Sequence, residues 1–149
     1  LTPFEESDEP LAQELFMIDR ARKIFLMLAG LGVQKYQMAL EHEQELLMGV
    51  ADIAIEIYAM ESAVLRALKA VRRGQPGLKV EMATIYCQEA FERIASTART
   101  LLPAVEEEGD TLRTQLSMLR RLSRYTPVNT VALKRKIAER LLEKGEYVC

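Results

Sequence analysis

A chain of 149 residues, half of it apolar and over a quarter charged, suits one ordinary globular domain that can bury a core. A net charge of -2 excludes a global attraction to nucleic acid or anionic lipid, and the absence of tryptophan argues against stacking on sugars or bases. Two cysteines, Cys87 and Cys149, make no disulfide framework, and there is no apolar run of about 18 residues to cross a membrane.

The few glycines and prolines cluster, which favours long helices. Residues 1–8 read as the end of a linker, with Pro3 and an acidic run, and residues 9–149 as a single helical domain. The start at Leu1, with neither Met nor a signal peptide, is expected of a piece cut from a longer protein. Asp8 is expected to cap the first helix, with Pro10 in its first turn. Leu11, Leu15, Ile18, Phe25 and Leu28 keep helical spacing, and Val33 and Tyr36 carry it to about Met38. Gly30 and Gly32 interrupt that pattern, either to end the helix or to admit a close neighbour.

The second helix carries the clearest periodicity. Leu46, Val50, Ile53, Ile57, Met60, Val64, Ala67 and Val71 advance in steps of four and three, flanked by a second stripe of Leu47, Ala51, Ala54, Tyr58, Leu65 and Leu68. An apolar arc that wide predicts a helix packed against several neighbours. Arg72, Arg73 and Gly74 are expected to close it. After Pro76–Gly77 the third helix runs through Val80, Ala83, Cys87, Ala90, Ile94, Ala98, Leu101 and Val105, with Pro103 near its end and Cys87 as a core thiol. Asp110 is expected to cap a fourth helix carrying Leu112, Leu116, Leu119 and Leu122. Tyr125–Pro127 breaks it. Asn129 is expected to cap a fifth helix with Leu133, Ile137 and Leu141 on one side, stapled by Val128 and ended by Gly145. The fold class is therefore all-α: an up-and-down helical bundle of four to five helices.

Residues that could carry chemistry are sparse. His42 is the one histidine, so neither a di-iron carboxylate site nor a zinc protease motif can be assembled, and it reads as part of a polar helix start. Asp52 and Glu56 lie one turn apart, placed either for acid–base work or for anchoring by arginines of a neighbouring helix or domain. Glu61 and Arg66 are five apart and suit contacts across helices better than one with each other. Gly30-Leu31-Gly32 lies inside a helical pattern and makes no phosphate loop. No catalytic, cofactor-binding or metal-ligating residue is assigned. Residues 1–109 carry a net charge of -7 and residues 110–149 one of +5. The basic runs Arg120-Arg121-Leu122-Ser123-Arg124 and Lys134-Arg135-Lys136 read as solvated faces or partners of the acidic helices rather than as phosphate or lipid contacts.

Several separated segments resemble one family. Glu43-Gln44-Glu45-Leu46-Leu47 and the run Ala51-Asp52-Ile53-Ala54-Ile55-Glu56-Ile57-Tyr58-Ala59-Met60-Glu61-Ser62-Ala63-Val64-Leu65-Arg66 are similar to the C-terminal region of acyl-CoA dehydrogenases, the very-long-chain type and its bacterial relatives. Gly109-Asp110-Thr111-Leu112-Arg113-Thr114-Gln115 and Tyr125-Thr126-Pro127-Val128-Asn129-Thr130 also look like the bacterial members. The resemblance implies a non-catalytic helical domain that packs on an FAD-dependent catalytic core, supports a homodimer and, in some relatives, assists membrane association. It places the catalytic glutamate, the FAD and the acyl-CoA pocket in that core, with no cofactor in this fragment. Of the linker that binds membrane in the very-long-chain relatives, only Leu1–Pro10 is present.

The expected function is thus an accessory domain of a cytoplasmic flavoenzyme of fatty-acid β-oxidation, in a reducing compartment. Alternatives are an independent scaffold or adaptor bundle, a peripheral membrane module, and a metal-bundle oxidase disfavoured by the single histidine. The second helix is apolar around so much of its girth that five helices need not cover it all. Parts of it, with Asp52, Glu56, Tyr58, Met60, Glu61 and Arg66, are the candidates for contact with the core or a second copy.

Overall fold

The computed structural model describes residues 7–147; the greater part of the expected linker, residues 1–6, and the terminal Cys149 lie outside the described residues. Helices α1 (Ala12–Tyr36), α2 (Gln44–Arg72), α3 (Lys79–Val105), α4 (Asp110–Leu122) and α5 (Thr130–Lys144) follow in order, with a 3-10 turn, Gln37–His42, between the first two.

The helix ends show which local signals prevailed. Asp8 does not cap α1. Leu11 stands directly before the helix in a left-handed conformation, φ 63° and ψ 21°, with no side-chain cap. That backbone costs a leucine about 1–2 kcal/mol, and burial of its side chain in the core offsets the cost. α1 stops at Tyr36 rather than Met38, because Gln37 turns at φ 47° into the 3-10 segment. Both last side chains are engaged elsewhere: Lys35 Nζ and the Tyr36 hydroxyl donate to the Ala104 carbonyl at 3.0 and 2.6 Å. They thereby satisfy a terminal carbonyl of α3, which runs on through Pro103 to Val105.

α2 ends as its sequence implies. Gly74 is left-handed at φ 68°, the Gln75 amide donates to the Ala70 carbonyl at 3.0 Å, and the Gly74 amide to that of Val71 at 2.9 Å. This is a Schellman motif. At α4 the expected cap shifts by one residue: Gly109, at φ 128° and ψ -151°, holds the cap position, and Asp110 is already helical. Asn129 does cap α5, its Oδ1 accepting from the Ala132 amide at 3.0 Å.

Cross-helix contacts give the topology. Thr84 Oγ1 donates to Glu14 at 2.7 Å near the starts of α3 and α1, and Tyr36 meets Ala104 near their ends, so these two run parallel. α2 returns between them, and α4 also runs back, ending where Gln13 and Thr126 exchange two hydrogen bonds. The core is filled by Met17, Ile24 and Leu28 of α1, Ile53, Met60 and Val64 of α2, Phe91, Ile94 and Leu102 of α3, and Leu119 of α4. Cys87 is buried among them, and burial pushes its thiol up to about 12, with the Glu14 charge adding to the shift. α5 contributes no buried residue. It is held on α3 by Lys134–Glu89 and Lys136–Glu81 pairs and by the Val128 amide donating to Gln88 at 2.9 Å.

The two glycines of α1 have different surroundings. A Cβ on Gly32 would lie 3.0 Å from Leu46 Cδ2, so this glycine admits α2, whereas nothing lies within 4 Å of one on Gly30. Gly49 makes the closest approach of all, since a Cβ there would overlap the Cδ1 methyl of Leu101. Gly30→Ala is expected to stabilise by about 0.5–1 kcal/mol through helix propensity. Gly49→Ala forfeits that gain, because Leu101 must swing away. Urea midpoints ranking Gly30→Ala above wild type, and Gly49→Ala level with it or below, are the expected result; equal gains would mean that α2 and α3 are not closely apposed there.

Candidate interaction surface

α2 buries one face, Leu46, Gly49, Ile53, Ile57, Met60, Val64 and Ala67, between α1 and α3. Of the second apolar stripe only Leu68 packs against the core. Leu47, Ala51, Ala54, Tyr58 and Leu65 are exposed, and so are Met48 and Ile55. Tyr58 is 73% exposed, Ile55 64% and Leu65 63%. These positions repeat at helical spacing on the side of α2 turned away from the core, over about 27 Å at 1.5 Å per residue. α1 extends the surface. The Arg22–Glu61 ion pair sets the antiparallel register of the two helices, bringing exposed Leu26 about level with Tyr58, and exposed Val33 about level with Ala51. Single exposed leucines are normal; a continuous stripe over two adjacent helices is the mark of an interface.

The charged candidates stand around this stripe in different states. Asp52 is exposed on the α3 side. Glu56, half-buried on the same side, is bound by both arms of Arg93, Nε to Oε1 at 2.6 Å and Nη2 to Oε2 at 3.0 Å, and by the Tyr86 hydroxyl at 2.9 Å. The Arg93 hydrogen bonds hold the Glu56 carboxyl below its ordinary value of 4.5, against the opposing effect of burial, and Tyr86 adds to the lowering. Burial, and then the Glu56 bond, push the Tyr86 phenol up. A carboxylate fixed in this way ties α2 to α3 and is unsuited to taking up a proton near neutral pH. Of the two roles open to Asp52 and Glu56, Glu56 serves the anchoring one. Glu61, on the opposite edge, is committed to Arg22 of α1, and Arg66 is exposed at the far end.

Met60 requires a correction. It is fully buried in the core, and its carbonyl receives the Cys87 thiol at 3.9 Å, so it cannot belong to an outward-facing surface. It shares the step pattern of the inward stripe, two residues from Tyr58 and therefore across the helix from it. Ile55 and Met48 were missed in the sequence because neither falls in the two stripes traced there. Counting on from Leu47 by one and by eight finds them. Leu26 and Val33 of α1 have no comparable signal, since their place beside α2 depends on the packing.

Glu56→Gln removes the charge while keeping the shape, and Arg93 is itself half exposed, so solvent screening limits the loss to about 1 kcal/mol. Because the folded-state value is depressed, the contribution is complete above pH 4.5 and disappears as pH falls through the lowered value. Denaturation curves of wild type and Glu56→Gln should therefore separate at pH 7 and converge in acid. A gap that persists at pH 3 would assign the loss to packing.

His42 lies exposed beside Glu41, 3.6 Å away. Among the described residues no group of three or more His, Cys, Asp or Glu side chains is placed to hold a metal, and no helix is long and apolar enough to cross a membrane.

Three comparisons relate the chain to known proteins. Residues 20–121 match the family model described as "Acyl-CoA dehydrogenase, C-terminal domain". A probable acyl-CoA dehydrogenase of Bacillus subtilis (strain 168) is 45% identical over 150 residues, covering 99% of this chain but 25% of the relative. The crystal structure of an acyl-CoA dehydrogenase complexed with FAD from Bacillus anthracis superposes with a TM-score of 0.91 at 48% identity, over 95% of this chain and 25% of that one. The chain thus spans about a quarter of the length of the relatives it matches.

Proposed function

The chain belongs to the family of acyl-CoA dehydrogenase C-terminal domains, and from that premise we propose that it is a non-catalytic accessory domain which packs on the enzyme's catalytic core and supports assembly of a homodimer. The observation that carries this reading is the outward apolar face of α2, bordered by Asp52 and Arg66 and continued by Leu26 and Val33 of α1. A face of that kind is stable in water only at a cost that burial against a partner relieves.

In this reading the catalytic residues, the acyl-CoA pocket and the FAD belong to the preceding three quarters of a cytoplasmic enzyme of fatty-acid oxidation. The residues present here do not fit a flavin. The interior is occupied by fully buried apolar side chains, and the open cavity between α2 and α3 offers an isoalloxazine ring no aromatic face free to stack on it, because Tyr86, the one aromatic residue in its lining, is engaged by Glu56 and Arg93. The domain's part in the reaction is mechanical: it fixes the position of the core subunits.

Light scattering of the 149-residue chain over a range of concentrations, alone and mixed with the separately expressed remainder of the enzyme, tests the reading. A stoichiometric complex with the core is expected. Two proteins that elute apart at every concentration, while each is folded, would refute it. A concentration-dependent dimer of the chain alone would make the α2 face a direct dimer contact.

A further inference from the structure

At one end of the α2–α3 hairpin, beyond the apolar stripe, lies a cavity of about 590 Å³ between the last turns of α2 and the first turns of α3. Arg66, Lys69, Arg73 and Lys79 line it over a floor of alanines and Met82, and no carboxylate is among the lining residues. Some cations of the chain pair across helices, Arg22 with Glu61, Arg93 with Glu56, Lys134 with Glu89 and Lys136 with Glu81. Others on exposed faces, such as Arg120, Arg121 and Arg135, have no carboxylate partner among the described residues; the four at the cavity differ in facing one concavity. None of the four cavity cations has a carboxylate partner among the described residues. They gather, moreover, in the part of the chain whose net charge is -7.

Helix electrostatics account for only part of this. Lys69 and Arg73 stand at the C-terminal end of α2, where cations offset the dipole. Lys79 is the first residue of α3, where the dipole favours an anion, so it adds to the positive potential. Four like charges around one concavity repel each other unless an anion joins them.

We propose that this cavity binds a small molecule bearing two or more phosphate groups, with a short apolar part resting on the alanine floor. The size falls within the ordinary range for small-ligand sites, about 300–1,000 Å³. Two guanidinium groups offer the planar fork that matches phosphate oxygens, and the two lysines supply further charge. A single carboxylate would leave most of the positive charge uncompensated. Arg66 borders the docking stripe and is shared with that reading, whereas Lys69, Arg73 and Lys79 lie beyond the stripe and its α1 continuation, so a double variant at Lys69 and Arg73 tests the cavity separately.

Inorganic pyrophosphate is the probe, titrated into the isotopically labelled chain by NMR and into the unlabelled chain by calorimetry. Saturable binding is expected, with amide shifts confined to the segment from Ala63 to Tyr86 that lines the cavity, weakening with added salt. Lys69→Gln with Arg73→Gln should reduce affinity about tenfold or more. Arg120→Gln with Arg121→Gln removes the same charge from α4 and should change it less than about twofold. These four positions are exposed, so both double variants should melt near wild type. Absence of saturation at millimolar pyrophosphate, or equal weakening by both double variants, overturns the proposal. So does an oligoglutamate peptide that saturates the cavity where pyrophosphate does not, which would assign the cavity to a protein partner.

Discussion

Ile55→Glu combined with Tyr58→Glu is expected to leave the bundle folded and to weaken its association with the catalytic core about 100-fold or more. Both side chains are largely exposed in the bundle, so their loss removes little intramolecular packing. Glutamate is also at least as good a helix former as isoleucine or tyrosine. At an interface the same changes bury two unpaired carboxylates and remove two large apolar contacts. Residues of this kind near the centre of an interface each cost about 2 kcal/mol or more when lost, and every 1.4 kcal/mol is about tenfold in affinity. Melting curves and sedimentation of the mixed domain and core would be read together. Unchanged melting with unchanged association would show that the core docks elsewhere. Met60→Ala, two residues away, should do the reverse and lower stability by about 2–5 kcal/mol.

The largest loss of stability is expected from Phe91→Ala, about 3–5 kcal/mol, a large share of the roughly 5–15 kcal/mol by which a domain is usually stable. Phe91 is 1% exposed in the middle of α3. Its ring meets that of Tyr125 edge to face, centroids 5.7 Å apart and planes at 78°. Tyr125 follows α4, and its hydroxyl donates to Glu92 at 2.7 Å. Removing the Phe91 ring therefore leaves a cavity and also takes away the surface on which the exit from α4 rests. Tyr125→Phe keeps the ring and gives up only a partly exposed hydrogen bond, for which about 1 kcal/mol is expected. Urea titration of both variants measures the difference. A Phe91→Ala loss no larger than that of Tyr125→Phe would mean that the surrounding side chains close the void.

Much of the fold is legible in the sequence because a packed helix must present its apolar residues at intervals of three and four. The inward stripe of α2, the course of α3 from Ala83 to Val105, the cap at Asn129 and the turns at Gly74 and Gly145 follow from local rules alone. The departures come where tertiary contacts override them. Leu11 takes up a left-handed backbone because its side chain is buried, which silences the capping signal of Asp8. Tyr36 closes α1 while its hydroxyl is drawn to the end of α3. The candidate surface is only half visible in the sequence for a related reason: burial in a core and readiness for a partner both select apolar residues. Tyr58 and Met60 fall in different stripes of one wide apolar arc, and only the positions of α1 and α3 decide which stripe is buried. The cationic cavity leaves no motif in the sequence, since its cations come from two helices and meet only through the hairpin.

The attachment of α5 bears on where the domain ends in a thermodynamic sense. A helix fastened by lysine–carboxylate pairs and by the half-buried Leu133, Ile137 and Leu141, with no fully buried side chain, adds less to the free energy that opposes global unfolding than the core helices do. The family match itself stops at residue 121, at the end of α4. The native state is then expected to divide into two nested equilibria, frequent release of α5 from a four-helix body and rare opening of that body. Amide hydrogens of α5 should exchange with solvent by the first route, faster as salt is added, while those around Phe91 wait for the second. Uniform protection across all five helices would show instead that the last helix opens only with the whole.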